Sequence, residues 1–342
     1  LRDSDRIGQS LQGRLHAVLP ILYSFRRCPY AMRARWALLE AGLLVQWREI
    51  ALKAKPAEML AVSPKGTVPV LVLPDGEVIE ESHAVMDWAL NQADPRELLW
   101  SSDSDTSALI QQNDGPFKHH LDRFKYTDRY PGTNKDEQRN AGLTILKSWN
   151  QRIAEQGWLL GERISLADAA IWPFVRQWRI ADPEGFDNDT ALAPLRSWLT
   201  GFLEAPRFER LMQRADPWSA GGQQHHFPAD AVAVPLDQPL FHLALKGDWQ
   251  AAQTNGSYRI STRGMGLDQV GFIHCSWQEQ VNATFERFYA DAGDVLLLEI
   301  DAAAVDAPLR ADAIPSGELF PHLYGALPLE AVRSVVTMPA SA

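Results

Sequence analysis

Residues 26–31 read Arg-Arg-Cys-Pro-Tyr-Ala, a spacing that suits nucleophilic sulfur chemistry. Proline directly after Cys28 predicts a helix whose first position is Pro29 and whose N-cap is the cysteine. There the free backbone N–H groups and the positive end of the helix dipole favour a thiolate. Arg26 and Arg27 add positive charge beside it, and such surroundings lower a thiol pKa and make the sulfur a usable nucleophile. Ala31 stands where a dithiol enzyme carries its second cysteine. Without a resolving neighbour, the natural product of Cys28 is a mixed disulfide with an external thiol. The competing reading is a small, half-buried core residue.

A second set of chemistry-bearing residues lies near the other end. His242, His274 and His322 sit in apolar stretches together with Tyr258, Ser261, Ser276, Gln280 and Tyr324. Three such histidines in about a hundred residues either line one cleft or fill separate structural roles. Their wide separation provides no metal-ligand spacing, so no metal is assigned. Cys275 alternates with His274 and is expected to face the core. The doublets His119–His120 and His225–His226 lie on polar stretches and read as solvated. Neither GxGxxG, a P-loop, CxxC nor HExxH occurs.

The elements that position Cys28 follow from periodicity. "AVLPILYS" reads as a strand, Pro29 to about Ala41 as a helix stopped by Gly42, and "VQWREIAL" as a second strand. A short helix at "PAEMLA", two strands around the Pro-Asp-Gly turn of "PVLVLPDGEVIE" and a helix starting near Ser82 complete an α/β domain over residues 16–94. Residues 104–215 are helical throughout, with Trp149, Trp158, Trp172, Trp178 and Trp198 in the expected core and a Ser165–Asp168 capping box. Residues 216–238, rich in Gly, Pro and Gln, read as a linker, and residues 1–15 as an N-terminal extension. In residues 239–338, "FHLAL", "GFIHCS" and "VLLLEID" read as strands and "WQEQVNATFERFYA" as a helix. "LFPHLYGALPLEAV" reads as a loop, which makes this last domain α+β.

Composition sets the partners. The 342 residues are 46% hydrophobic and 22% charged, as in globular proteins. No apolar run approaches a membrane span, the first residues are unlike a signal peptide, and the two cysteines look like reduced thiols, so a cytoplasmic protein without membrane contact is expected. Residues 239–342 hold six basic and twelve acidic side chains and carry most of the net −10. That balance excludes a phosphate-backbone grip there and leaves only local basic patches in the middle, so no nucleic-acid partner is expected.

With "CPYAMR", "KGTVPVL" and "EESHAVMDW" in these positions, residues 16–215 resemble a glutathione S-transferase of the cysteine-type, omega-like kind. The resemblance implies a thioredoxin-like α/β domain followed by an all-helical bundle. It implies a cis bond at Val68–Pro69 whose Val68 backbone pairs with the cysteinyl part of glutathione, with Glu81 and Ser82 at its γ-glutamyl end and Lys55 as a further contact. A cis X-Pro bond turns the preceding backbone groups outward, and a helix N-terminus with a hydroxyl suits a carboxylate. Tyr23 and Ser24 are rivals to Cys28, because tyrosine- and serine-type members activate glutathione with a hydroxyl near the end of the first strand. The second substrate is expected between the domains, near Phe117, Phe124, Tyr126 and Tyr130, and a homodimer is implied. The expected activity is glutathione-dependent thiol transfer or reduction through Cys28. The alternatives are hydroxyl-assisted conjugation, or a non-catalytic binding module serving the last domain.

"GFIHCS" and "FPHLYG" resemble a small bacterial family defined only as domain of unknown function 952. Its grouping with ADP-ribosyltransferase-like folds implies a NAD pocket, for whose phosphates Arg259, Arg263 and Arg287 are the nearby cations. From the residues themselves, the candidate cleft is His242, Tyr258, His274, Ser276, His322 and Tyr324.

Overall fold

The computed structural model describes residues 18–339; the extension assigned to residues 1–15 lies outside them. The chain opens with β1 (Ile21–Ser24), α1 (Pro29–Glu40), β2 (Val45–Glu49), α2 (Ala57–Val62), β3 (Val70–Val72), β4 (Val78–Ile79) and α3 (Ser82–Gln92), the order that the sequence predicts. Strands β1 and β2 are parallel, while β3 and β4 add antiparallel on the other side of β1. Helix α1 begins as expected, with Pro29 in the first turn and Cys28 extended at φ −74° and ψ 123°. It ends at Gly42, where φ is +69°. Glycine is the residue that adopts this helix-ending conformation without steric cost.

Seven helices follow: α4 (Asp103–Gln112), α5 (Lys118–Lys125), α6 (Lys135–Gln156), α7 (Leu166–Ala181), α8 (Pro183–Asp187), α9 (Ala193–Glu204) and α10 (Pro206–Leu211). A π-helical turn at Asn113–Phe117 joins α4 to α5. Helix α7 starts on the predicted capping box. The fully buried Asp168 carboxylate accepts from Ser165 N at 2.9 Å, Ser165 Oγ at 2.6 Å, Leu159 N at 3.0 Å and Trp198 Nε1 at 2.9 Å. These donors offset part of the desolvation cost, and burial still holds the Asp168 carboxyl above its ordinary value. One core runs through both domains: Leu22, Trp36 and Val85 of the first pack with Trp149, Trp172 and Phe202 of the second. Trp172 stacks on Phe202 at 5.4 Å.

The segment predicted as a linker contains two short strands. Strand β5 (His225–Phe227) pairs with β2 and extends the first sheet to β4-β3-β1-β2-β5, with Phe227 buried against Trp47. Strand β6 (Ala231–Ala233) joins the sheet of the last domain. Runs of three residues beside Pro228 are too short to show a period, so the connection looks unstructured until its partners are in place.

The last domain continues with β7 (Leu240–Leu245), α11 (Lys246–Asn255), β8 (Ser257–Tyr258), β9 (Ile260–Thr262), β10 (Met265–Gly266), α12 (Leu267–Val270), β11 (Ile273–His274) and α13 (Val281–Phe288). It closes with β12 (Val295–Ile300), β13 (Leu309–Ala313), β14 (Leu319–Leu323), β15 (Leu327–Pro328) and β16 (Val332–Thr337). Its two larger sheets run β16-β12-β7 and β11-β14-β13-β6. The predicted loop at "LFPHL" is β14, an interior strand. Pro321 hides it from a sequence reading because proline lacks a ladder donor; its carbonyl still accepts from Cys275 N at 2.9 Å. No helix among the described residues is long and apolar enough to cross a membrane.

This domain is docked on the two that precede it. A Cβ at Gly42 would fall inside the Tyr324 ring. Arg310 donates to Leu43 O at 3.2 Å, and Arg210 of α10 reaches Asp312 at 2.5 Å. Arg207 donates to Val270 O at 3.2 Å, and Arg259 pairs with Glu97 at 3.1 Å.

Candidate active site

Cys28 sits at the start of α1, with its own N–H donating to Phe25 O at 3.1 Å and its carbonyl accepting from Met32 N at 2.8 Å. Its Sγ lies 3.9 Å from Val68 O, and Val68–Pro69 is a cis peptide. The side chain is half-buried. The expected depression of its pKa is reversed: burial pushes the Cys28 thiol up from its ordinary value, outweighing the pull of the Ala31 and Tyr30 amides, Arg35 and Lys118. The sign follows because removing a thiolate from water costs more than two partial dipoles and two offset cations return. Arg26 and Arg27 are not the cations that matter. Arg35, fully buried and stacked over Trp47 and Phe227, takes that role together with Lys118 of α5. In the unliganded protein the alkylation rate of Cys28 should therefore inflect above the ordinary cysteine value of about 8.5. An inflection at or below that value would contradict the burial argument.

The rival hydroxyls lie elsewhere. Tyr23 packs on the opposite side of the sheet with Ile50, Met59 and Val70, and Arg48 donates to its hydroxyl. Ser24 is completely buried, and its Oγ has no hydrogen-bond partner.

The residues expected to contact glutathione hold one surprise. Glu81, at the N-cap of α3, is exposed and paired with Lys65 at 2.6 Å, a lysine that sequence reasoning passed over. Ser82 is buried, and its Oγ accepts from Arg33 Nε at 2.9 Å. Arg33 is itself forked onto Asp114 of the π-helical turn, at 2.9 and 2.6 Å, with its guanidinium over the Tyr30 and Phe174 rings. This chain ties the α3 N-terminus to the helical domain and keeps the Ser82 side chain internal. Lys55 is exposed, its stem over Gly66.

Of the four aromatics expected near the second substrate, Phe117 and Phe124 belong to the core against Trp178. Tyr130 takes the Arg123 guanidinium over its ring at 4.5 Å. Tyr126 does line a cleft of about 370 Å3, together with Phe25 and Arg27 beside Cys28, Lys125, and Pro173 and Arg176 of α7.

In the last domain the histidines separate into two groups. His242 is buried, its Nδ1 bonded to His274 O at 2.7 Å and its Nε2 to the Tyr258 hydroxyl at 2.9 Å; burial pushes it down to about 4. It holds the fold and does not face a cleft. His274 and His322 are cross-strand partners with rings 5.3 Å apart. His274 is exposed, with Ser261 Oγ 3.1 Å from its Nδ1. His322 Nδ1 donates to Asp312 Oδ2 at 2.8 Å, because a carboxylate can only accept. Asp312 also receives Arg310 Nε at 2.8 Å and the Tyr324 hydroxyl at 2.6 Å. Ser276 and Gln280 serve the fold: Ser276 pairs its backbone with Phe241, and Gln280 donates to Glu318 and Leu319 O. Cys275 faces the core as expected, 3% exposed. Asp312, at the centre of this network, was missed, although Arg310 and Asp312 alternate in "LRADAI" as two charges on one face of a strand.

Three family models match parts of the chain. Residues 22–97 match the glutathione S-transferase N-terminal domain and residues 120–201 its C-terminal domain, while residues 243–335 match DUF952, a protein family of unknown function. The chain is similar to rat glutathione S-transferase omega-1, 26% identical over 54% of this chain and 77% of that protein. It is also similar to maleylacetoacetate isomerase of Pseudomonas aeruginosa, 28% identical over 44% and 78%. Among solved structures, glutathione transferase Omega 3C of Trametes versicolor shares the fold, with a TM-score of 0.50 and 18% identity over 61% of this chain and 96% of that one. The chain thus carries the N- and C-terminal domains of a glutathione S-transferase, followed by a DUF952 domain.

Proposed function

We propose that the protein is a glutathione-dependent thiol transferase that works through Cys28. The observation that carries this reading is the placement of Cys28 Sγ at a helix start, beside the Ala31 and Tyr30 amides and 3.9 Å from Val68 O, with no second cysteine in the domain. In the proposed reaction the Cys28 thiolate attacks the glutathionyl sulfur of a mixed disulfide, and the other half leaves as a thiolate. A glutathione thiolate then attacks the Cys28-bound sulfur, releasing glutathione disulfide and restoring Cys28. The two amides take up charge as the sulfur ionises, and Arg35 and Lys118 support it.

Glutathione is proposed to pair its cysteinyl backbone with Val68 and to set its γ-glutamyl amino group on Glu81 in place of Lys65. Lys55 remains a proposed contact from the rim, and Ser82 acts through its bond with Arg33. Glu81→Gln should then weaken glutathione by about 10-fold, the scale of one charge-assisted hydrogen bond. Unchanged affinity by calorimetry would remove Glu81 from the site. The homodimer is part of the proposal; NAD is not. Of the three arginines offered to a dinucleotide, Arg259 is paired with Glu97 and Arg263 with Asp291.

A second reading, a glutathione-fold module that serves the DUF952 domain, is favoured by one observation: Phe227, between the two domains, packs on the same Arg35 that faces Cys28. Hydroxyl-assisted conjugation has no comparable support.

A further inference from the structure

We propose that the cleft walled by Phe25 and Arg27, which neighbour Cys28 in the chain, selects a second substrate with an anionic arm, one whose carboxylate or other oxyanion stands a few bonds from the sulfur that Cys28 releases. The inference rests on the reading of Cys28 as the nucleophile and adds the substrate class. Three side chains on the cleft wall, Arg27, Lys125 and Arg176, are cationic, and no acidic side chain lines it. Among the described residues none of the three belongs to an ion pair. On the helices that carry two of them the carboxylates are engaged elsewhere, Asp122 of α5 by Lys118 and Asp168 of α7 by the Ser165, Leu159 and Trp198 donors.

Instead each cation leans on a ring: Arg27 on Phe25 at 5.9 Å, Lys125 on Tyr126 at 5.0 Å and Arg176 on Phe208 at 5.6 Å. A ring contact leaves the N–H edge of a guanidinium free to donate to a planar anion. Burial pulls Arg176 below its ordinary value, and the charge of Arg26 adds to the shift, which is the position of a guanidinium lacking a counter-ion. Glutathione does not supply the missing charge, because its proposed anchors, Lys55, Val68 and Glu81, lie in the loops before α2, β3 and α3 and none of them lines the cleft, which is walled by the loop after β1 and by α5 and α7. Cations concentrated in a cleft with low-dielectric walls raise the local concentration of anions.

The test compares two unreactive thioethers, S-(2-carboxyethyl)glutathione and S-(2-hydroxyethyl)glutathione, by calorimetry, and then the corresponding mixed disulfides in turnover. The carboxylate should bind about 10-fold or more tightly than the alcohol, as expected for one or two charge-assisted contacts. That ratio should fall to below about 2 in the double variant Lys125→Gln, Arg176→Gln, and should shrink as salt is raised. The neutral thioether serves as the folding control, since its affinity should be unchanged in the variant. Equal affinity for the two probes in the natural protein, or a ratio that survives the double substitution, overturns the inference. Discrimination between the thioethers without turnover of either disulfide would leave the anion site standing and sink the reading of Cys28.

Discussion

Cys28→Ala is expected to reduce thiol transfer from glutathionyl mixed disulfides to the rate of uncatalysed exchange, a loss of about 1,000-fold or more, as for other enzymes deprived of their nucleophile. The size follows from the absence of a substitute. Cys275 is the only other cysteine; it is 3% exposed in the DUF952 domain, and burial pushes its thiol up to about 12. Tyr23 is bound by Arg48 on the far side of the sheet, and the Ser24 hydroxyl is sealed in the core. Glutathione affinity should change less than about threefold, because the substitution removes only a weak S–H···O interaction at 3.9 Å. Cys28→Ser should behave like Cys28→Ala in transfer, since an oxygen nucleophile forms no disulfide. A steady-state assay with the two variants decides, and near-normal transfer in Cys28→Ala would refute the mechanism.

Asp312→Ala should destabilise the full-length protein by about 3–5 kcal/mol, the range seen when one partner of a buried ion pair is removed. The substitution leaves Arg310, 1% exposed, without its carboxylate, and takes a partner from Arg210, His322 and Tyr324 together. Burial alone would raise the Asp312 carboxyl; the His322 hydrogen bond and the Arg310 and Arg210 charges override it and hold the group well below the ordinary carboxylate value. A depressed pKa means that the unfolded chain takes up the proton first, so this contribution is whole at neutral pH and is lost only as pH falls through the acid range. The damage should not stay in one domain. Arg310 also donates to Leu43 O and Tyr324 rests on Gly42, so denaturant unfolding of the variant should show the first sheet loosening along with the last domain. A stability within about 0.5 kcal/mol of the natural protein, the scatter of ordinary surface substitutions, would show that the network carries little of the docking.

The parts of this structure that rest on local signals were legible in the sequence. The Cys28–Pro29 helix start, the Gly42 stop and the Ser165–Asp168 box each involve residues close in the chain, whereas the cis Val68–Pro69 bond was implied only by the family resemblance of "KGTVPVL". Features that need a distant partner were not. Phe227 is buried only because β5 finds β2, and the sign of the Cys28 shift depends on how deeply α5 and α1 enclose the sulfur. Lys65 looks like a loop cation until the fold brings it to Glu81. The aromatics at 117–130 show the same limit: helical spacing brings Phe117 and Phe124 to the core and leaves Tyr126 at the cleft, and only the packing of Trp178 tells them apart.

The mechanism turns on a covalent intermediate at Cys28, which intact-mass spectrometry of the protein after brief exposure to a glutathionyl mixed disulfide would detect. A single added glutathionyl group is expected, mapped to the peptide carrying Cys28, that disappears when free glutathione is added and does not form on Cys28→Ala. An unmodified protein that nonetheless turns the substrate over, or a glutathionyl group located on Cys275, would contradict that intermediate.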